Sequence, residues 1–136
     1  MEDIKNIFIK KKILIYGLGK SGISAYFFLR KNNDLYLYDD NKNVVKDKKI
    51  KKIFIKSNDI FKKKFDFIVI SPGIDIKKCY LKRFLKKNLK KIVTDLDIFY
   101  SHNFRNKSIA ITGTNGKSTT AKINDKFCLL PSVKKY

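Results

Sequence analysis

The chain has 136 residues, of which 43% are hydrophobic, and it carries a formal net charge of +20 at pH 7. This length and composition predict about one domain with a buried core and exclude a disordered chain. No apolar run approaches the ~20 residues of a membrane span, and no signal-peptide pattern opens the chain. Cys79 and Cys128 lack disulfide or metal spacing. We therefore expect a reduced, cytoplasmic protein with no membrane span.

The positive charge raises the question of a nucleic-acid partner. The lysines are spread along the whole chain, with one dense block between Lys42 and Lys64. No signature of an RNA- or DNA-binding module accompanies them. We interpret the charge as a compositional bias and expect no nucleic-acid partner. A basic nucleic-acid-binding protein is kept as an alternative, which a strongly salt-dependent DNA shift would favour.

A glycine motif follows the first predicted strand. Lys12 to Tyr16 forms a short apolar run, and Gly17 to Gly22 then reads Gly-Leu-Gly-Lys-Ser-Gly. The pattern G-x-G-x-x-G between a strand and a helix is typical of a nucleotide-binding βα unit. Ser21 is expected to help start the helix, which is predicted over Ser24 to Lys31. The side chains of Ile23, Phe27 and Phe28 are expected to lie on one side of this helix.

Polar residues follow two further predicted strands. Leu35 to Tyr38 ends in Asp39 and Asp40, and Phe65 to Ile70 ends in Ser71-Pro72-Gly73. Open α/β sheets bind ligands where the carboxyl ends of their strands meet. We therefore expect the glycine motif, the acidic pair and the Ser-Pro-Gly turn to converge at one edge of a mainly parallel, Rossmann-like sheet flanked by helices.

The remaining elements of this first region are shorter or less regular. Further strands are predicted over Ile53 to Ile55 and Ile92 to Thr94, and a helix over Lys77 to Lys90. Asp95 is expected to cap a turn or helix. Ser101 to Lys107 is interpreted as a polar linker, whose single histidine is assigned no role.

A second glycine loop follows the linker. Ile109 to Ile111 is predicted as a strand, Gly113 to Ser118 (Gly-Thr-Asn-Gly-Lys-Ser) as the loop, and a helix is predicted from near Lys117. Such a turn points successive N–H groups at one place, where the helix N-terminus adds partial positive charge. The loop lacks the first glycine of the usual P-loop pattern, because Ile111 stands there. We interpret it as a cradle for the phosphates of a nucleoside triphosphate.

The loop, read as Gly-Thr-Asn-Gly-Lys-Ser-Thr, resembles the ATP loop of the Mur ligases and of folylpolyglutamate synthase. The Rossmann-like region before it favours the Mur ligases, and the order of motifs is similar to the branch that adds D-glutamate to UDP-N-acetylmuramoyl-L-alanine. The resemblance implies an ATP-dependent amide ligase of peptidoglycan synthesis that is a monomer. Its substrates would be UDP-N-acetylmuramoyl-L-alanine and D-glutamate.

The resemblance also implies site residues. The diphosphate would lie at Lys20 and Ser21, the uracil-ribose end at Asp39 and Asp40, and Gly73 would close the site. The residues expected to bind the UDP part are Gly17, Gly19, Lys20, Ser21, Asp39, Asp40, Ser71 and Gly73. The residues expected to bind ATP are Gly113, Thr114, Asn115, Gly116, Lys117, Ser118 and Thr119.

Two of these residues carry the implied chemistry. Lys117 would pair with the β- and γ-phosphates as the catalytic residue, and the Ser118 hydroxyl would be a ligand of Mg²⁺. ATP would phosphorylate the alanyl carboxylate, and the amine of D-glutamate would displace phosphate from the acyl phosphate.

The sequence predicts a Rossmann-like substrate domain over 1–100, a linker over 101–107, the first βα unit of an ATP-binding domain over 108–123 and a divergent tail over 124–136. The tail matches no family pattern, and the family's metal-binding glutamate and histidine and carbamylated lysine have no counterpart. We expect a truncated or frameshifted form without ligase activity. A stand-alone NAD-type domain is the alternative, since Asp39 also suits a ribose, but it leaves the second glycine loop unexplained.

Overall fold

The computed structural model describes residues 7–41, 43–44, 47–103 and 111–128. The chain divides into two compact units, Met1–Phe104 and Arg105–Tyr136. The described elements are, in chain order, β1 (Lys12–Tyr16), α1 (Lys20–Leu29), β2 (Asp34–Tyr38), α2 (Lys48–Lys51), α3 (Ser57–Ile60), β3 (Phe67–Ile70), α4 (Lys82–Lys87), a 3₁₀ helix (Leu89–Lys91), β4 (Ile92–Val93), α5 (Asp95–Asn103) and α6 (Lys117–Cys128).

The strands of the first unit form a four-stranded sheet in the order β2-β1-β3-β4. All three neighbouring pairs are parallel, and Ile15 of β1 lies between Leu37 of β2 and Val69 of β3. The sequence Ile-Leu-Ile-Tyr of β1 is apolar throughout because a central parallel strand is buried on both faces. The predicted α/β, Rossmann-like architecture with a parallel sheet is confirmed.

Two hydrophobic cores cover the two faces of this sheet. Successive side chains of a strand point to opposite faces, so Ile13 and Ile15 enter one core, which also holds residues of α1 and α5. Leu14 and Tyr16 enter the other core, which holds residues of α3 and α4. Tyr16 is fully buried at the carboxyl end of β1. The buried central strand β1 therefore ends directly before the first glycine loop.

Helix α1 begins earlier than predicted, at Lys20, with Gly19 as its N-cap residue. Ser21 therefore lies inside the first turn and does not cap the helix. Of the side chains predicted to lie on one side, Ile23 packs against the core, whereas Phe27 is 47% exposed and Phe28 is 50% exposed. The buried residues are small or lie later in the helix, at Gly22, Ala25 and Leu29. Small residues face the sheet because α1 lies too close to the end of β1 to admit a phenylalanine there.

The predicted strand over 53–55 is reduced to one isolated bridge between Leu37 and Phe54. The long predicted helix over 77–90 is reduced to α4 and the 3₁₀ helix. Asn88 ends α4, where its side-chain amide donates to the carbonyl of Phe84 over 2.9 Å. Leu89 is 58% exposed, so its helical spacing did not reflect burial.

Helix α5 has a different cap from the predicted one. The Thr94 hydroxyl accepts a hydrogen bond from the Asp97 N–H over 3.3 Å, and the Asp97 carboxylate accepts one from the Thr94 N–H over 2.7 Å. This reciprocal pair is a capping box, and Asp95 lies in the first turn. The helix continues to Asn103, so the first three residues of the predicted linker are helical. Residues 104–107 lie outside the described residues.

The described part of the second unit is a loop followed by α6. Residues 109 and 110 of the predicted strand lie outside the described residues, and Ile111 and Thr112 are in no strand. A strand needs a neighbour for its backbone hydrogen bonds, and the described residues of this unit offer none. Helix α6 begins at Lys117 as predicted and extends to Cys128, five residues beyond the expected end. The boundaries of the predicted domains stay predictions.

The described helices are shorter or less apolar than a helix that crosses a lipid bilayer. Within the ranges that the structure describes, none combines the length and apolar character that a bilayer crossing requires.

Candidate nucleotide-binding sites

The first glycine loop turns sharply at the carboxyl end of β1. Gly17 has a φ of +88°, and its N–H donates to the carbonyl of Tyr38 over 2.9 Å. A Cβ at this position would lie 2.8 Å from the Cβ of Ser71. Both the positive φ and the lack of space require glycine. Gly17 therefore brings the ends of β1, β2 and β3 together.

The other two glycines of the motif have opposite surroundings. A Cβ on Gly22 would overlap the carbonyl oxygen of Gly17, so Gly22 allows α1 to pack against the loop. A Cβ on Gly19 would meet no atom within 4 Å, and its φ of −68° suits any residue. Packing therefore does not explain Gly19. The open backbone there allows a phosphate group to approach closely.

Asp39 ties the end of β2 to this loop. One carboxylate oxygen accepts the N–H of Leu18 over 2.6 Å, and the other accepts the N–H of Asn41 over 2.8 Å. Each carboxylate oxygen has a further lone pair, so Asp39 keeps the capacity to accept a hydroxyl group. Asp39 and residues of the first glycine loop together line an open cleft.

Asp40 lies outside the lining of that cleft. Its carboxylate accepts a hydrogen bond from the Tyr16 hydroxyl over 2.7 Å. Burial raises the pKa of Tyr16 well above its ordinary value, and the hydrogen bond to Asp40 raises it further. Burial and then the charge of Asp40 raise the pKa of Tyr38 in the same way. The structure thus gives Asp40 a contact in the core, and its predicted contact with substrate stays a prediction.

The Ser-Pro-Gly turn after β3 lines the same cleft. The Ser71 N–H donates to the carbonyl of Tyr16 over 3.0 Å, and its hydroxyl donates to the carbonyl of Gly17 over 2.8 Å. A Cβ on Gly73 would meet no atom within 4 Å. Like Gly19, this residue presents open backbone to the cleft.

These loops enclose an open cleft of about 380 Å³. Seven of the eight residues predicted for the UDP part line it, and Asp40 is the exception. Two further lining residues, Pro72 and Ile74, were not singled out from the sequence, although they flank the predicted Gly73. The lining residues are Gly17, Gly19, Lys20, Ser21, Asp39, Ser71, Pro72, Gly73 and Ile74. The predicted convergence at the carboxyl edge is therefore observed, while the binding roles stay predictions.

The second glycine loop has a different geometry. Gly113 has a φ of +145° and Gly116 a φ of +76°, so both require glycine for conformational reasons. The Lys117 ammonium donates to the carbonyl of Gly113 and, over 3.3 Å, to that of Thr114. The Thr120 hydroxyl donates to the carbonyl of Gly116 over 3.0 Å. The loop is thus held by its own backbone and by the first turn of α6.

The backbone of this loop leaves room for an anion at the start of α6. Residues 112–119 are exposed, and the positive φ angles turn the backbone at the N-terminus of α6, where N–H groups are left for an anion. Ser118 in the first turn offers one hydroxyl oxygen, while among the described residues no cluster of three or more histidine, cysteine or acidic side chains is placed to hold a metal. Mg²⁺ would therefore be shared between Ser118 and phosphate oxygens.

Comparisons with known proteins show the family to which the first unit belongs. The family model for the N-terminal domain of MurD-like Mur ligases matches residues 11–93. The UDP-N-acetylmuramoylalanine--D-glutamate ligase of Rickettsia prowazekii (strain Madrid E) is 38% identical over 121 residues, which cover 87% of this chain and 27% of the relative. The proteins of the same name from Rickettsia conorii and Wolbachia pipientis wMel are 36% and 30% identical, and each match covers 87% of this chain and 24% of the relative.

The chain therefore spans about a quarter of the length of the curated relatives it matches. No solved structure shows a significant match. The family model covers β1 to β4, which form the sheet, and every residue that lines the cleft. The chain belongs to the MurD-like branch of the Mur ligase family.

Proposed function

We propose that the chain carries the substrate-binding domain and the ATP loop of a ligase that joins D-glutamate to UDP-N-acetylmuramoyl-L-alanine. The observation that carries the proposal is the cleft in which Gly19, Asp39 and Gly73 meet at the carboxyl edge of the sheet. The names of the relatives support the reaction, and the match of the family model to this domain supports the assignment of the cleft to the UDP part.

The diphosphate of the substrate fits the wall formed by α1. The first N–H groups of a helix have no partner within the helix, and here the N-cap is Gly19, which has no side chain to satisfy them. Lys20 adds a cationic side chain to the lining of the cleft. A diphosphate at this point would be bound by helix N–H groups and by one ammonium group, which together compensate its charge.

The uridine end fits the wall that contains Asp39. In NAD-binding domains an acidic residue at this place binds the ribose hydroxyls. Here both carboxylate oxygens of Asp39 already accept backbone N–H groups. Each oxygen keeps a further lone pair, so Asp39 can accept a ribose hydroxyl of the uridine while it keeps the bonds that hold the loop.

The second glycine loop supplies the phosphoryl-transfer chemistry. A carboxylate and the γ-phosphate of ATP are both anions, so their approach requires positive charge at the point of transfer. Lys117 lies at the start of α6 and would leave the carbonyls of the loop to bind the β- and γ-phosphates. Mg²⁺ with Ser118 as a ligand would supply further compensation. The amine of D-glutamate then attacks the acyl phosphate, and phosphate leaves.

The 136-residue chain should bind the UDP part without completing the reaction. The described side chains of α6, at residues 117–123, are exposed, so they do not pack to hold the ATP loop in the geometry that in-line transfer requires. The predicted monomeric state and cytoplasmic location belong to the same proposal.

Isothermal titration calorimetry with UDP and NAD tests the proposal. We expect tighter binding of UDP than of NAD. Gly19→Val should abolish UDP binding and leave the fold intact, because its side chain would fill space that is open to the cleft. Ser24→Val on the same helix, outside the lining of the cleft, is the matched control. Tighter binding of NAD, or unchanged UDP binding in Gly19→Val, would refute the proposal.

A further inference from the structure

A second cleft in the first unit is strongly basic. It has a volume of about 550 Å³, and Phe61 and Phe84 contribute aromatic rings to its lining. None of the described residues that line it is acidic. We call it the basic cleft, and its basic lining residues are Lys63, Lys64, Arg83, Lys86, Lys87 and Lys91.

We call the cleft of about 380 Å³ that Gly19, Asp39 and Gly73 line the nucleotide cleft. The basic cleft lies at the opposite edge of the sheet from it. Lys64 precedes β3 in the chain, and Lys91 directly precedes β4, so the cleft is at the amino ends of these strands. The nucleotide cleft is at the carboxyl ends, and the two share no lining residue. The basic cleft therefore does not belong to the site proposed for the UDP substrate.

Positive charge is unevenly distributed among the clefts of the first unit. The nucleotide cleft is lined by one lysine and one aspartate, Lys20 and Asp39. A small apolar cleft between α1 and α5 has Asp95 as its one charged lining residue. Two clefts that adjoin the basic cleft are also rich in lysine, since one shares Lys63 with it and the other shares Lys86, Lys87 and Lys91. The fold thus gathers lysines from separate parts of the sequence around the basic cleft and its neighbours, and the basic cleft is the part of this surface with six basic and no acidic lining residues.

The aromatic residues give the basic cleft a second binding property. Phe61 is 52% exposed, and its ring lies 5.8 Å from that of Phe84 in an edge-to-face arrangement. Phe84 is nearly buried and also contacts Phe65, with ring centroids 6.1 Å apart. Phe61 is thus an accessible ring on a rigid aromatic base. Exposed rings flanked by cations bind unpaired bases by stacking while the cations bind the phosphates.

We propose that the basic cleft binds single-stranded nucleic acid. The charge of its lining fits a chain of phosphates, and Phe61 offers a surface for an unpaired base. A duplex keeps its bases stacked inside, where Phe61 would not reach them, and the concave shape does not match a flat bilayer. This interaction would be independent of the proposed ligase reaction.

Fluorescence anisotropy with a labelled 12-mer of oligouridylate and the whole 136-residue chain tests the proposal. If about four phosphates are contacted, raising the salt concentration from 50 to 200 mM should weaken binding about 50-fold. Saturating UDP should leave the affinity unchanged, since its proposed site is at the other edge of the sheet. Displacement by UDP, or tighter binding of a duplex of equal length or of phosphatidylglycerol vesicles, would overturn the proposal.

Two pairs of variants separate a specific cleft from general charge. The triple variant Lys64→Gln/Arg83→Gln/Lys87→Gln should weaken binding at least tenfold. The control Lys31→Gln/Lys77→Gln/Lys78→Gln removes the same charge from exposed positions outside the basic cleft and should change affinity less than twofold. Equal losses in the two triple variants would contradict the proposal.

The aromatic pair tests stacking. Phe61→Ala should weaken binding about fivefold or more, while Phe61→Tyr keeps the affinity. Phe27→Ala removes a phenylalanine of similar exposure from α1 and should have no effect. Circular dichroism checks that each variant is folded. A folded Phe61→Ala with unchanged affinity would overturn the proposal.

Discussion

The two glycine loops of this chain are supported in different ways. The loop after β1 is held by residues distant in sequence, since Asp39 accepts the Leu18 N–H and Ser71 donates to Gly17. Among the residues that the structure describes, the loop before α6 is held by bonds to residues at most four positions away, as from Lys117 to Gly113. The first loop is therefore part of a folded sheet, whereas the second is a local turn. A similar glycine motif can thus be fixed by tertiary structure or by its own sequence neighbours.

The largest effect that would test this difference comes from adding a methyl group where α1 packs against the first loop. Gly22→Ala places a Cβ against the carbonyl oxygen of Gly17, and hydrogen bonds to Tyr38 and Ser71 hold that backbone in place. We expect the free energy of unfolding to fall by about 3 kcal/mol or more. Gly116→Ala in the second loop meets no atom, so only the strain of its positive φ should appear there. Urea unfolding of both variants makes the comparison, and equal effects would contradict it.

The next effect concerns the link between β2 and the first loop. Asp39→Ala leaves the N–H groups of Leu18 and Asn41 without their acceptors. Because Leu18 is 3% exposed, we expect a loss of about 2 kcal/mol in stability, together with weaker UDP binding. Asp34→Ala, which removes an exposed carboxylate bonded to the Tyr36 hydroxyl, is the control and should cost about 0.5 kcal/mol or less. A loss as large in the control would show that Asp39 has no special role.

Alkaline pH should destabilise the sheet beneath the first loop. The folded-state pKa values of Tyr16 and Tyr38 are raised by burial and by Asp40, so the unfolded chain loses these protons first. Stability is fully present below the unfolded value of about 10 and should fall above it by about 1.4 kcal/mol per pH unit for each tyrosine. Tyr16→Phe should be less stable at pH 7, where it lacks the bond to Asp40, but should show a shallower decline between pH 10 and 12. An unchanged slope would exclude Tyr16 as its source.

The difference between local contacts and contacts distant in sequence also explains which features of the fold and the site could be predicted from the sequence. The apolar strands, the Gly17 turn and the convergence at the carboxyl edge were predictable, because a parallel sheet requires apolar central strands and brings their ends together. The burial of α1 was not, because it depends on how closely Gly22 approaches Gly17. Asp39 and Asp40 are adjacent in sequence, and only the structure shows that one lines the cleft and the other bonds to Tyr16. The basic cleft was missed because its charges come from separate segments.

The smallest effect is expected in the second loop. Lys117 is exposed and its observed contacts are with the carbonyls of its own loop, so Lys117→Ala should change the free energy of unfolding of the first unit by less than about 0.5 kcal/mol. Phosphate release with ATP, Mg²⁺, UDP-N-acetylmuramoyl-L-alanine and D-glutamate should show no D-glutamate-dependent turnover for the 136-residue chain or for this variant. The physical reason is that a phosphate cradle accelerates transfer only when the acceptor carboxylate and the metal are held in line with it, and a loop fixed by local bonds alone does not hold them. Turnover that depends on D-glutamate and disappears in Lys117→Ala would show instead that local bonds are enough to build an active ATP site.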